Sequence, residues 1–286
     1  MPLPSVSVVI PALNAAGTID DQLSAVLSQD CPVIFEVVVA DNGSHDCTRG
    51  VVQSWADRDS RVRLIDAAHV PGEAAARNAG VEHARSPFVA FCDADDVVRP
   101  GWLAAIHTAL ASDSHAVNVT REYWSLNPGR ESSGGPETVI TRWVAGGAFA
   151  VRRDLYREIG GFDTSLPTAA DTDFGFRLFD RTGRHPRHVQ SAVVSVREPQ
   201  AAGEVFARAR RLSRTRHVLR QRYPHHLPAK PADVARFRLS LLHSLAMKTP
   251  TLASSRRVGW MEMLGVLVGD VEGSAAGALS RFPHRT

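Results

Sequence analysis

Short apolar runs rich in Val, Ile and Phe recur through the first hundred residues: SVSVVI (5–10), FEVVVA (35–40), VRLI (62–65) and FVAFC (88–92). Each is too short for a helix and dense in β-branched or aromatic residues, so each reads as a buried strand. Between them, 17–29, 46–57 and 73–84 carry the mixed spacing of helices. Strand and helix alternating at this interval predict βαβ units, hence an α/β fold on a mainly parallel central sheet flanked by helices. Ligands of such sheets sit at the carboxyl ends of the strands. Here the loops after the first, second and fourth strands are PALNAAG, DNGSHD and DADD.

Beyond residue 97 the alternation fades. A helix is expected to begin near Trp102, a strand to cover 115–119, and a loop to occupy 126–137 (LNPGRESSGGPE). WVAGGAFAVRRDLYREIGGFD (143–163) follows, then PTAADTDFGFRLFDRTG (167–183), helical in its second part. From about 201 onward the pattern is helical. Val205, Ala209, Leu212 and Leu219 share one expected face, Val234, Phe237, Leu241 and Leu245 a second, and Trp260, Leu264, Leu267 and Val271 a third.

Composition narrows the class. With 44% apolar and 22% charged residues, the 286-residue chain is neither disordered nor fibrous. Cys31, Cys47 and Cys92 form no C-x-x-C pair, which argues against a disulfide framework or a cysteine-rich zinc site and for a reducing compartment. The start, MPLPSVSVVIPALN, has no basic residues before its apolar run and reads as a first strand, not a signal peptide. No apolar stretch reaches the roughly 20 residues that span a bilayer, so a soluble cytoplasmic protein is expected. Charge is uneven: 197–257 holds 14 Lys/Arg against 3 Asp/Glu, a local net of +11, against +3 for the whole chain. An acidic body with a basic C-terminal part implies different partners for the two. A basic amphipathic helix over 204–222 suits peripheral contact with an anionic membrane surface, or is a solvated arginine-rich face. No nucleic-acid motif accompanies the charge, and no nucleic acid is expected.

The sharpest chemical feature is Asp93-Ala94-Asp95-Asp96 at the exit of the fourth strand. Side chains alternate along extended backbone, so Asp93 and Asp95 point the same way. Two converging carboxylates repel unless a cation or donor lies between them, and a hard divalent ion such as Mg²⁺ or Mn²⁺ suits oxygen ligands. The plainer reading is a solvated acidic turn. Asp41-Asn42-Gly43-Ser44 is either a turn capping the next helix or an acceptor for a base or ribose. In GEAAARNAG, Arg77 is either a surface residue or a guanidinium that meets diphosphate oxygens. Gly146-Gly147 and Gly160-Gly161 permit close backbone approach. Asp171 and Asp173 open a helix, where acidic residues cap; in a cleft, such a carboxylate also serves as general base.

The order of these motifs carries more than any one of them. VSVVIPALNAAGTI, VVVADNGSHDCT, GEAAARNAG, FVAFCDADD, GGAFAVRRDLYREIGGFD and ADTDFGFRL, in that sequence over about 5–200, resemble a family-2 glycosyltransferase of GT-A fold. The resemblance implies a catalytic domain over 1–200, with a nucleotide-binding half (1–97) and an acceptor-binding half (98–200), followed by a basic helical region (201–286). It implies an inverting transfer of a sugar from a nucleotide-sugar donor to a saccharide, lipid-linked or small-molecule hydroxyl. Pro11, Ala12, Leu13, Asn14 and Asp41 would line the base and ribose pocket, and Arg77 would lie near the diphosphate. Asp93 would face the ribose, with Ala94 beside it, and Asp95 with Asp93 would hold the divalent cation. Gly146 and Gly147 would pass under the donor sugar, and Asp171 would be the catalytic base, with Asp173 and Arg177 also matching.

Two positions depart from that pattern. Ala170 stands where a glutamate usually precedes the catalytic aspartate, and Ser195 lies near the place of a metal-binding histidine. His185 and His188 are the nearby substitutes to consider. The rival readings are a nucleotide-sugar-binding scaffold without turnover and a sugar nucleotidyltransferase. The second would carry a Gly- and Lys-rich phosphate loop after the first strand, which PALNAAGTI is not.

Overall fold

In the computed structural model, residues 5–127, 143–227, 231–247 and 254–279 are described. The expected loop at 126–137 lies, from 128 on, outside them. The chain divides into two compact units, Met1–Thr164 with Ala170–Glu198, and Ser165–Ala169 with Pro199–Thr286.

The first unit opens with β1 (Val6–Ala12), α1 (Ile19–Leu27), β2 (Phe35–Asp41), α2 (Thr48–Arg58), β3 (Val62–Asp66), α3 (Glu73–His83) and β4 (Phe88–Cys92). It continues with β5 (Val97–Val98), α4 (Trp102–Ser112), β6 (Ala116–Glu122), β7 (Ala148–Arg152), α5 (Arg153–Glu158), α6 (Ala170–Thr182) and β8 (Arg187–Ser195). These strands form one eight-stranded sheet in the order β3-β2-β1-β4-β7-β6-β8-β5. Pairing is parallel from β3 through β4. Beyond β4 the sheet is mixed: β4–β7, β6–β7 and β5–β8 are antiparallel and β6–β8 is parallel. The parallel half has the helical crossovers that its pattern predicts.

All residues of β1 and β2 are buried, as in strands covered on both faces. Val8 and Ile10 pack with Leu23, Trp102 and Ile106 on one side of the sheet. Val9 packs on the other with Phe91, Phe149, Phe162 and Phe174. Two expectations shift, and one strand is added. Pro11 and Ala12 end β1, paired with Ala40 and Asp41, so the first loop begins at Leu13. VRLI lies at an edge, its Arg63, Leu64 and Ile65 only half-buried. β7 is a central strand, and its apolar run is short because glycines precede it and arginines follow.

The second unit holds α7 (Ala202–Arg222), α8 (Pro231–Met247) and α9 (Ser254–Leu279). The apolar faces read from periodicity form its seam only in part: Ala209 and Leu219 are buried, but Leu212, Phe237 and Val271 are exposed. Helix α9 lays Gly265, Gly269 and Gly273 against α7, where a Cβ would run into the Phe206 and Arg210 carbonyls or the His217 ring. Backbones this close select residues without side chains, a signal that the spacing of large apolar residues does not contain. Asp270 adds a polar tie, pairing with His217 Nε2 at 2.8 Å and accepting from Arg238 Nε at 2.6 Å.

Gly269→Ala should therefore lower stability by about 1–3 kcal/mol through overpacking. Gly259→Ala, on the same helix with open space around it, should be neutral or stabilising by about 0.5–1 kcal/mol. Chemical unfolding followed by the helical circular dichroism signal distinguishes them, and equal effects would remove the close-contact account.

Candidate active site

The site begins where β4 ends. Cys92 pairs with Ala148 of β7, so the chain leaves β4 at Asp93 directly beside Gly147. Helix α3 lies close on the sheet because Gly80 faces Val9, whose methyls a Cβ at that position would strike. One turn earlier on α3, the Arg77 side chain is 7% exposed and donates from Nη2 to Asp93 Oδ1 at 2.5 Å. The same nitrogen pairs with the Glu73 carboxylate, which is 61% exposed. Burial opposes the charge on Arg77, but Glu73, Asp93 and Asp171 outweigh it and hold the guanidinium protonated, above its usual range. Arg77 is thus a buried ionic hub, not a surface residue.

Gly146 and Gly147 cross this hub. A Cβ on Gly146 would press on the Arg77 guanidinium, and one on Gly147 would overlap the Asp93 carboxylate. Gly146 N–H donates to Asp171 Oδ2 at 3.0 Å, while Asp171 Oδ1 accepts from Thr172 N–H at 2.7 Å. Asp93, Arg77, Gly146 and Asp171 therefore form an unbroken chain of contacts. Asp171 does sit in the first turn of α6, as a capping residue would, yet its other oxygen reaches across to the glycine loop.

Further supports fix both ends. Arg177 donates to Asp173 Oδ2 at 2.8 and 2.6 Å, and to the carbonyls of Ile159 and Gly161 at 2.8 Å, tying α6 to the Gly160-Gly161 turn. Asn78, next to Arg77, accepts from Tyr156 OH at 2.6 Å and from Phe162 N–H at 2.9 Å. Buried Gln22 of α1 donates to the Asp93 carbonyl at 2.9 Å and accepts from Val98 N–H at 3.1 Å, bracing both sides of the DADD turn.

The second and first loops lie at the neighbouring strand ends. Asp41 is fully buried; its Oδ2 accepts from Arg49 Nη1 at 2.8 Å and from the Gly43 and Ser44 amides at 3.3 Å. Its Oδ1 is buried and accepts no hydrogen bond among the described residues. Burial alone would raise the Asp41 carboxyl, but the bonds from Ser44 and Arg49 pull it below the ordinary value. Asn14, in the left-handed region at φ 52°, accepts from His45 N–H at 2.9 Å, and its own N–H donates to Ser44 Oγ at 2.9 Å. Leu13 beside it is 56% exposed. The Asn42 side chain donates to the Ala67 and Val70 carbonyls and accepts from Gly72 N–H at 2.6 Å, joining this loop to the start of α3. Gln22, Asn42, Glu73 and Asn78 were given no role by sequence, since the partners of Gln22, Asn42 and Asn78 lie on loops and elements that local pattern does not identify, and Glu73 gains its role only through the burial of Arg77.

In the DADD turn, Ala94 is buried and Asp95 exposed. Asp96 is buried and accepts Arg197 N–H at 2.9 Å; burial first, then repulsion from Asp93, pushes its carboxyl up to about 8. The substitute histidines are not brought here. Ser195 ends β8 and donates to Glu122 Oε2 at 2.9 Å, whereas His188 meets Thr120 Oγ1 at 3.2 Å seven residues earlier. At about 3.3 Å per strand residue, that places it roughly 20 Å back along the sheet. His185 lies before β8, stacked on Phe179 with ring centroids 4.4 Å apart. Spacing in sequence brought both within range; the direction of β8 takes them away.

Replacing the hub with an apolar chain of similar length, Arg77→Met, leaves two carboxylates without their partner. Stability should fall by about 2–3 kcal/mol, less than for a fully buried pair because both acids keep access to water. Urea unfolding measures this, and an unchanged midpoint would refute the hub.

The Glycosyl transferase family 2 profile matches residues 7–181, more than half the chain and all of the residues that make up this site. Glycosyltransferase AglE of Haloferax volcanii is 30% identical over 205 residues, covering 64% of this chain and 67% of that protein. The Escherichia coli UDP-Glc:alpha-D-GlcNAc-diphosphoundecaprenol beta-1,3-glucosyltransferase WfgD is 37% identical over 99 residues, 35% of this chain and 36% of its own. The match thus spans about two thirds of one relative and about a third of the other. The mannosyltransferase PcManGT of Pyrobaculum calidifontis, solved in complex with GDP-Man and Mn²⁺, shares the fold: TM-score 0.66 at 21% identity, over 96% of this chain and 88% of that one. With the fold, the ordered motifs and the profile in agreement, the chain belongs to glycosyl transferase family 2, enzymes of glycosyl transfer, and carries the GT-A fold of that family.

Proposed function

We propose that this protein is a divalent-cation-dependent, inverting glycosyltransferase that moves a sugar from a nucleotide-sugar to a hydroxyl acceptor in polysaccharide or glycolipid assembly. The observation that carries the reading is the contact chain from Asp93 through Arg77 and Gly146 to Asp171. One end is suited to a nucleotide diphosphate, the other to an acceptor hydroxyl, and the sugar would lie over the glycine backbone between them.

On the donor side, Asp41 Oδ1 is a buried acceptor without a protein donor among the described residues, matched to an N–H of the base or a ribose hydroxyl. Pro11 and Ala12 at the end of β1, with Leu13 and Asn14 after them, flank it. Asp93 serves the ribose and Arg77 the diphosphate, with Ala94 between Asp93 and the metal-binding Asp95. The residues fit a hard cation: Asp93 and Asp95 offer carboxylate oxygens two positions apart, with Asp95 exposed at the turn. Asp93 and Asp95 would hold Mg²⁺ or Mn²⁺, which would supply Lewis-acid stabilisation of the departing nucleoside diphosphate. PcManGT, with its GDP-Man and Mn²⁺, supports this reading.

On the acceptor side, Asp171 takes the hydroxyl proton as the new glycosidic bond forms. Its two hydrogen bonds fix the carboxylate toward the glycine loop. Base and leaving group then lie on opposite faces of the sugar, and direct displacement inverts the anomeric centre. Residues 1–97 act as the nucleotide half and 98–200 as the acceptor half. WfgD, whose name specifies a diphosphoundecaprenol-linked acceptor, supports a lipid-linked one here. No helix among the described residues is long and apolar enough to cross a membrane. Access to such an acceptor at the cytoplasmic face falls to the basic 201–286 region, lying on the anionic lipid surface.

UDP-, GDP- and dTDP-sugars incubated with the protein and Mn²⁺ should reveal slow hydrolysis of one donor, stopped by EDTA. Asp171→Asn should lower transfer by about 10²–10⁴-fold with donor binding kept. Hydrolysis indifferent to EDTA would remove the cation from the proposal, and full turnover in Asp171→Asn would remove the base. Donor binding without turnover under any acceptor would favour the scaffold.

A further inference from the structure

The second unit contains a cleft that the transfer chemistry leaves unused. It has a volume of about 460 Å³ and is lined by His217 and Arg220 of α7, Val234, Ala235 and Arg238 of α8, and Ser274 of α9. None of the described side chains that line it is acidic. The nearest carboxylate in the network, buried Asp270, is shared between His217 and Arg238. Arg238 also donates to Ser274 Oγ, which aims its guanidinium along the cleft wall.

Arg220 is the residue left over. It is half-buried and has no hydrogen bond or ion pair among the described residues. Burial first, then repulsion from Arg216, pulls its guanidinium below the ordinary value. Arg220 is partly shielded from water and is attracted by Asp270 only through space, with no direct bond among the described residues, so a ligand anion supplies the hydrogen-bonding partner. A phosphate suits two guanidinium groups that face one space, since its oxygens accept from both forks at once. The surroundings extend the match: the 197–257 stretch carries a net +11. On α8, Phe237, Leu239 and Leu242 are 41%, 66% and 51% exposed. Cationic and apolar groups side by side are the surface that a phosphate on an acyl chain requires.

We propose that this cleft binds a phosphate group, with Arg220 and Arg238 as its cationic walls. The group is either a phospholipid head group or a soluble phosphate ester. The assignment deepens the membrane contact proposed above and does not depend on the transfer chemistry.

The test uses the full chain in EDTA at about 0.15 M salt, which silences the cation-dependent donor site and screens diffuse attraction. Pyrophosphate is titrated calorimetrically. Vesicles of phosphatidylcholine, with and without phosphatidic acid, are tested by co-sedimentation. Arg220→Gln should weaken pyrophosphate binding about tenfold or more, the loss of a charged hydrogen-bonding partner. Arg214→Gln removes an equal charge from an exposed position on α7 and should change it less than about twofold. Because Arg220 makes no internal bond, its variant should fold like wild type, checked by circular dichroism and Tm. Arg220→Lys should restore part of the binding. Phosphatidic-acid vesicles retained by wild type and lost by Arg220→Gln identify the lipid source. Pyrophosphate binding without vesicle binding keeps the cleft, assigns it to a soluble ester and overturns the membrane contact alone. Equal loss in both glutamine variants, an unaffected Arg220→Gln, or no pyrophosphate binding by wild type overturns the cleft.

Discussion

Glu73, Asp93 and Asp171 surround the Arg77 guanidinium, and the geometry of the first unit's site depends on that cation staying charged in a buried place. A lysine offers a point charge and a flexible stem; the guanidinium offers a planar fork with donors in fixed directions. The fork also sets how closely the glycine loop passes, since Gly146 stacks over it and Gly147 over its partner Asp93. Charge, planarity and the lack of two side chains form one constraint. Through the Gly146 amide it extends to Asp171, so the carboxylate proposed as the base is positioned from the same point as Asp93.

That constraint needs a rigid frame, which the sheet supplies. Gly80 allows α3 to approach Val9 of β1, and the antiparallel β4–β7 pair places Asp93 opposite the glycine loop. Aromatic packing beneath the loop is dense: Phe91 stacks on Phe149 with centroids 4.7 Å apart, and Phe162 and Phe174 close the cluster. Such a core resists the small shifts that would separate Arg77 from Asp93. Polar braces do the rest, with Gln22, Asn42 and Asn78 each satisfying backbone groups of a loop that has no secondary structure of its own.

The second unit is built on a different principle. Its helices meet through glycine and a shared carboxylate, leaving several large apolar side chains exposed beside arginines. Reading amphipathic faces from Leu and Val spacing finds only part of this design, the buried Ala209 and Leu219, because the closest approaches are made at glycines. Leu212, Phe237 and Val271 are periodic and yet face outward.

Much of the first unit was legible in the chain alone. Continuous apolar runs with helical spacers have one economical solution, a twisted parallel sheet, and acidic residues at the ends of such strands gather on one edge. Asp41, Asp93 and Asp95 were found that way, since their position follows from local backbone period and strand direction. Residue pattern alone left Arg77 and Asp171, like Asp41 and the DADD turn, with two readings each, and only the order of motifs chose between them. The contacts of Arg77, Gly146 and Asp171 join parts of the chain that are distant in sequence: α3, the exit of β4, the loop before β7 and the start of α6. Tertiary structure decided that Arg77 is buried, that the glycines are there for lack of space, and that His185 and His188 lie elsewhere. Local pattern reports which face a side chain takes, whereas a buried ion's partners depend on which strands become neighbours, and that is settled by packing of the whole sheet.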